Sequence, residues 1–167
     1  MNELQAQVAR VVETIGRVID GVAPALRPDA IWGGSATKNL GATVGIHGEW
    51  RGDVSVVCSD ALARRAVDRL LALPAATASL DDLCEAVSEL TSRIAGDLRS
   101  IFDAQARLGT PLLFEPLVQS PGHAGGEVVA ELCFDCLGEP MAVIVTRFPA
   151  TPVAEDGARR SEPRPRR

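Results

Sequence analysis

The longest regular pattern of apolar and polar residues lies between Ser79 and Ile101. Apolar residues recur there at steps of three and four, which is the period of a helix with one buried side. They are Leu80, Leu83, Val87, Leu90, Ile94, Leu98 and Ile101. Ser79 stands where an N-cap is expected, and Asp82 completes an acidic form of the capping box. The pattern predicts a long helix that packs its apolar stripe on the body of the protein and ends near Ala106.

A second set of residues falls on the side of this helix opposite the stripe. At about 100° per residue, the set consists of Glu85, Glu89, Ser92, Arg93 and Gly96. Glu89, Ser92 and Gly96 are predicted to face outwards, about one turn apart. Gly96 is unusual in this position because glycine inside a helix costs about 1 kcal/mol relative to alanine. An outward glycine allows the backbone of another protein to approach closely.

The remaining patterns predict two more helices and about five strands. Period-2 alternation and turn residues indicate the strands, and period-3.6 patterns indicate the helices. The predicted helices are 3–20 and 61–73, the predicted hairpin spans 41–58, and further strands are 112–118, 127–136 and 141–148. Successive hairpins favour an antiparallel sheet with the long helices packed on it, so the predicted fold class is α+β.

Length and composition limit the classes of function. The 167 residues are predicted to form one domain over 1–148, followed by a disordered tail over 149–167 that is rich in Pro, Arg, Glu and Gly. The net charge of −5 argues against a nucleic-acid partner. No apolar run approaches the length of a membrane span and no signal peptide is recognised, so a cytoplasmic location without membrane contact is expected.

The four cysteines raise the question of a zinc site. Cys133 and Cys136 form a lone Cys-x-x-Cys, which Cys58 and Cys84 could complete. An odd step along a strand, however, places Cys133 and Cys136 on opposite faces. Buried, reduced cysteines that act as small apolar residues are the favoured interpretation. We therefore expect no metal site and no cofactor held by this chain.

The segment Glu89-Leu90-Thr91-Ser92-Arg93-Ile94-Ala95-Gly96 resembles the helix motif of the CheX-like chemotaxis phosphatases, relatives of CheC and FliY. That motif reads Glu-Leu-x-Asn-x-Ile-x-Gly. Glu89, Leu90, Ile94 and Gly96 match it, whereas Ser92 stands at the position of the family's catalytic Asn. The glycine-rich hairpin and the order of elements over roughly residues 4 to 148 agree with the same family. The chain carries one copy of the motif, as CheX does.

The resemblance implies a partner and a reaction. The motif helix of the family docks on a phosphorylated receiver domain of the CheY type, and the receiver brings the Mg²⁺. Glu89 would pair with the receiver's active-site Lys, and residue 92 would orient the water that attacks the aspartyl phosphate. Glu89 and Ser92 are thus the candidate catalytic residues, and Glu85, Glu89, Arg93 and Gly96 the candidate partner-binding residues.

Ser92 leaves open whether this chain hydrolyses the aspartyl phosphate. Its hydroxyl lies directly on Cβ and falls at least one bond length short of an amide, while water positioning is sensitive to about 1 Å. Weak or absent aspartyl-phosphate hydrolysis is therefore expected. The alternatives are a non-catalytic adaptor that only binds a receiver, and a structural domain that self-associates through a sheet edge. The resemblance is also compatible with a homodimer formed by sheet contacts.

Overall fold

The computed structural model describes residues 1–27, 39–115 and 125–150. These ranges contain one antiparallel sheet and three α-helices, which confirms the predicted α+β class. The helices are α1 (Glu3–Asp20), α2 (Asp60–Ala66) and α3 (Leu80–Phe102). The strands are β1 (Ala25–Arg27), β2 (Asn39–His47), β3 (Arg51–Ser59), β4 (Arg107–Leu108), β5 (Leu112–Phe114), β6 (Glu127–Cys136) and β7 (Glu139–Arg147). Residues 151–167, most of the predicted tail, lie outside the described ranges.

Local capping sets the bounds of the first helix as predicted. The Asn2 side chain accepts a hydrogen bond from the Gln5 backbone N–H, and the Gln5 side chain accepts one from the Asn2 N–H. This reciprocal box satisfies two donors that a helix start otherwise leaves unpaired. Gly21 ends the helix in the left-handed region at φ 73°, a conformation that costs glycine little.

The second helix differs from the single helix predicted over 61–73. The α-helical part ends at Ala66 and continues as a π-helical turn, Val67–Leu71. Ala72 closes that turn in the left-handed region, with φ 54°. Leu73 consequently lies outside the core and is 40% exposed. No helix in the described ranges is long and apolar enough to cross a membrane.

The strands are arranged in the order β1-β6-β7-β3-β2-β4, and β5 also pairs with β2. The β2–β3 hairpin confirms the prediction for 41–58, and β6 has the predicted bounds. A bulge between Val128 and Ala130 changes which residues of β6 face the core. Ala130 is buried whereas Val128 is 42% exposed, so the residues of β6 that face the core alternate regularly only after the bulge.

The main core lies between the three helices and one face of the sheet. Ala42, Val44 and Ile46 of β2 face it together with alternate residues of β3, β6 and β7. A smaller cluster on the other face joins Val57, Cys133 and Ala142, with Phe114 packed against it. The cluster that a residue of β2 or β5 contacts therefore shows on which face of the sheet that residue lies.

The C-terminal end of α3 is fixed by a contact with the β2–β3 hairpin. The Asp103 carboxylate accepts hydrogen bonds from the backbone N–H groups of Glu49, Trp50 and Gln105. Desolvation by burial raises the pKa of Asp103, but these backbone hydrogen bonds outweigh it and hold the pKa below its usual value. The prediction that the helix reaches Ala106 was wrong, because Asp103 turns towards the hairpin and residues 107–108 form β4.

Candidate functional site

Helix α3 presents one side to the core and the opposite side to solvent. The buried residues of this helix are Leu83, Ala86, Val87, Leu90, Thr91, Ile94, Ala95 and Leu98. The stripe predicted from the sequence is buried in its middle only, because Leu80 is 65% and Ile101 is 46% exposed. The structure places Glu85 and Arg93 at exposed positions and Glu89, Ser92 and Gly96 at half-exposed ones. We call this set of five residues the outward face of α3.

A strong N-terminal cap holds the helix that carries this face. Ser79 and Asp82 form the predicted capping box, in which Asp82 accepts from the Ser79 N–H at 2.8 Å and Ser79 Oγ accepts from the Asp82 N–H at 3.2 Å. The hydrogen bonds from the backbone and side chain of Ser79 lower the pKa of Asp82. With Asp103 anchored at the other end, the helix is a fixed support for its outward side chains.

Glu89 is paired within the outward face. Arg93 Nε donates to Glu89 Oε1 at 2.7 Å, and the two side chains are 45% and 41% exposed. An exposed pair at this helical spacing is worth about 0.3–0.5 kcal/mol. Such a pair orients the carboxylate weakly, and a stronger interaction with a partner can replace it. The sequence contained the signal for this pair, since Glu followed by Arg four residues later is the favoured order on a helix.

The hydroxyl of Ser92 is free to contact an outside group. In the described part of the chain it makes no hydrogen bond, whereas Ser100 Oγ donates to the Gly96 carbonyl and Thr91 Oγ1 to the Val87 carbonyl. Thr91 is completely buried, which the sequence pattern did not indicate. The Thr91 hydroxyl is thus hydrogen-bonded within α3, whereas the Ser92 hydroxyl is available to a partner.

Gly96 leaves a bare patch of backbone on the outward face. A Cβ added there would meet only Leu108 Cδ1, at 3.8 Å, which is an ordinary van der Waals contact. The protein's own packing therefore does not require glycine at this position. In α1, by contrast, a Cβ added at Gly16 would collide with the ring of Pro24.

Replacing Gly96 with alanine is expected to stabilise the isolated protein. The helix gains about 0.5–1 kcal/mol in propensity and loses no contact. Urea unfolding of Gly96→Ala measures the gain, with Gly16→Ala as the comparison that must lose stability because of Pro24. A fall in the unfolding free energy of Gly96→Ala would mean that the glycine serves the fold of the chain itself.

The cysteines lie outside the outward face of α3, and the two of the Cys-x-x-Cys pair face opposite sides of the sheet. Cys136 and Cys58 face the main core and Cys133 the smaller cluster, which confirms that the Cys-x-x-Cys pair points in opposite directions. Burial raises the pKa of Cys58 and of Cys136 to about 12. Burial also raises the pKa of Cys84, which is half-buried. All four are free thiols, and these positions suit small apolar residues rather than nucleophiles.

The shape of the site suits a protein partner better than a small molecule. Two of the shallow cavities in the described structure have volumes of about 380 and 390 Å³, and neither of these is lined by a residue of the outward face. The second lies between α1 and α3, next to Asp97, Ser100 and Ile101. The outward face is instead a convex helix surface with a carboxylate, a hydroxyl and a glycine about one turn apart.

Comparisons with known proteins agree with the family that the helix motif resembles. The family model described as chemotaxis phosphatase CheX matches residues 40–116, a range that contains all of α3. No curated protein matches the chain significantly. Together with the solved structures below, the match confirms the resemblance to CheX-like chemotaxis phosphatases that the motif predicted.

Solved structures of the CheX, CheC and FliY kind share the fold. Chemotaxis protein CheX from Vibrio vulnificus is 14% identical, covers 87% of this chain and 97% of its own, and has a TM-score of 0.68. CheX in the CheX–CheY–BeF₃–Mg²⁺ complex from Borrelia burgdorferi is 14% identical, with coverage of 86% and 97% and a TM-score of 0.64. FliY from Thermotoga maritima is 12% identical, with coverage of 87% and 91% and a TM-score of 0.53.

Proposed function

We propose that this CheX-like chain docks through the outward face of α3 on a phosphorylated receiver domain of the CheY type in chemotaxis or two-component signalling. The observation that carries the proposal is the placement of Glu89, Ser92 and Gly96, half-exposed and about one turn apart, on a helix anchored at both ends. A CheX of the same fold has been solved in complex with CheY, BeF₃ and Mg²⁺, which supports a receiver as the partner.

Glu89 supplies the electrostatic part of this interaction. Its carboxylate pairs with the active-site lysine of the receiver while Arg93 contacts the other carboxylate oxygen. The receiver carries the Mg²⁺ and the aspartyl phosphate, so this chain needs no cofactor of its own. Phosphoryl transfer requires mainly positioning and charge stabilisation, which a rigid helix face can provide.

Ser92 makes hydrolysis slow. Its hydroxyl can donate to and accept from water, but it stands closer to the helix axis than the amide of the family's Asn. A water held by Ser92 is therefore displaced from the line of attack on phosphorus. The proposed activity is receiver binding with weak aspartyl-phosphate phosphatase activity, a degenerate form of the family's reaction.

A non-catalytic adaptor is the second candidate, favoured by the same serine. In that case the outward face sequesters or localises a phosphorylated receiver and the phosphate outlasts the complex. Self-association through a sheet edge is a third alternative, at β6, where the described partner strand β1 pairs with Cys133, Phe134 and Asp135 alone. A receiver partner places the action of the protein in the cytoplasm.

A titration tests the proposal. The labelled chain is titrated with a CheY-type receiver in Mg²⁺, with and without beryllofluoride, which mimics the aspartyl phosphate. We expect the loaded receiver to bind at least about tenfold more tightly, because the binding energy comes from the phosphorylated site. Absence of binding to the loaded form of every CheY-type receiver of the same organism would reject the proposal.

A further inference from the structure

Two exposed leucines lie at the sheet edge beside α3. Leu108 of β4 is paired with Ile46, and Leu113 of β5 is paired with Ala42. Directly opposed residues of an antiparallel pair point to the same face of a sheet. Because Ile46 and Ala42 belong to the core beneath the helices, both leucines lie on the helix side.

The helix lies beside both leucines. Leu108 Cδ1 is 3.8 Å from the position of a Cβ on Gly96, and α3 contacts both β4 and β5. The C-terminal end of α3 adjoins the tip of the β2–β3 hairpin, where Phe102 and Trp50 have ring centroids 4.8 Å apart. The helix thus runs along β2. The two leucines are about 13 Å apart along this strand, and Ser92 lies between them in the direction of the strand.

These leucines expose apolar surface beside α3. Leu108 is 39% and Leu113 is 52% exposed, and Leu108 borders Gly96 of α3. A single exposed leucine is ordinary, but apolar residues that rim a polar patch are typical of protein interfaces. Here the rim adjoins the bare backbone of Gly96, where a partner can approach most closely.

We infer that Leu108 and Leu113 form an apolar flank of the receiver-docking surface and contact apolar side chains of the receiver beside its phosphorylated site. This inference rests on the proposed function, because the flank is continuous with the outward face of α3. The flank contributes affinity that does not depend on phosphate, whereas Glu89 contributes affinity that depends on the charge at the receiver's site.

The chain contains its own control for this inference. Leu112 precedes Leu113 in β5, is 65% exposed, and is paired with Thr43. The Thr43 hydroxyl shares a hydrogen bond with Ser55 Oγ at 2.7 Å, and the neighbouring Phe114 packs on the cluster of the other face. Leu112 therefore points away from the helix, although it is more exposed than its neighbour.

The experiment compares Leu108→Ser, Leu113→Ser and Leu112→Ser in titrations with a CheY-type receiver loaded with beryllofluoride and Mg²⁺. We expect the first two variants to weaken binding about fivefold each and Leu112→Ser to leave it unchanged. Urea unfolding and circular dichroism verify that all three fold. If wild type binds and Leu112→Ser weakens binding as much as Leu113→Ser, or none of them changes it, the inference is wrong while the docking proposal stands. If wild type itself does not bind, the docking proposal fails first.

Discussion

Replacing Ser92 with Asn is expected to raise the rate of receiver dephosphorylation about a hundredfold, since displacement of a reacting group by about 1 Å costs that much. The Asn amide extends beyond the hydroxyl position and regains an acceptor and two donors for the attacking water. Ser92 is half-exposed and makes no hydrogen bond among the described residues, so the larger side chain fits without loss to the fold. The loss of phosphate from a phosphorylated receiver, measured with and without the chain, gives the rate.

Ser100→Asn is the matched control for this gain. It makes the same chemical change two turns further along α3, on an exposed residue, and is expected to leave the rate unchanged. If wild type already matches Ser92→Asn, the serine itself is competent to orient the water. If Ser92→Asn binds the receiver and stays inactive, the helix docks in a different register and Ser92 does not face the phosphate.

Replacing Glu89 with Gln is expected to weaken binding to the loaded receiver roughly 10- to 100-fold, because hydrogen bonds to charged groups contribute about 1.5–3 kcal/mol. The change keeps the shape of the side chain and removes its charge. Losing the exposed pair with Arg93 costs the isolated protein only about 0.3–0.5 kcal/mol. A large loss of binding without a loss of stability would therefore report on the interface.

Salt and a second variant separate this effect from general electrostatics. Affinity of the wild type should fall as ionic strength rises, whereas Glu89→Gln should show a flatter dependence. Glu127→Gln is the control, because Glu127 is exposed on β6, towards the opposite edge of the sheet. This variant should bind the receiver as tightly as the wild type, with the same salt dependence. Unchanged affinity of Glu89→Gln would remove Glu89 from the proposed interface.

The sequence was sufficient to predict α3 and its orientation because local signals determine both. Ser79 and Asp82 define its start, and the buried middle of the stripe gives the inward side. The end of the helix was predicted wrongly because Asp103 is held by the hairpin residues Glu49 and Trp50, about 50 positions away in the chain. A pattern read over one or two turns contains no information about such a contact.

The apolar flank could not be predicted for a related reason. Leu108 lies in a strand of only two residues, which exists because β2 offers a free edge there. Leu113 and Leu112 look alike in sequence, and only the register against Ala42 and Thr43 distinguishes their faces. The candidate residues on α3 were found by helical period, whereas their surroundings depend on how the edge strands fold back.

The most direct test of receiver docking is a map of the interface by amide chemical shifts. The ¹⁵N-labelled chain is titrated with a receiver carrying beryllofluoride and Mg²⁺, and shift changes are assigned to residues. We predict that the largest changes fall on residues 85–96 of α3 and on β4 and β5. Changes confined to the opposite edge at Ala25–Arg27, with α3 unaffected, would contradict docking through the outward face.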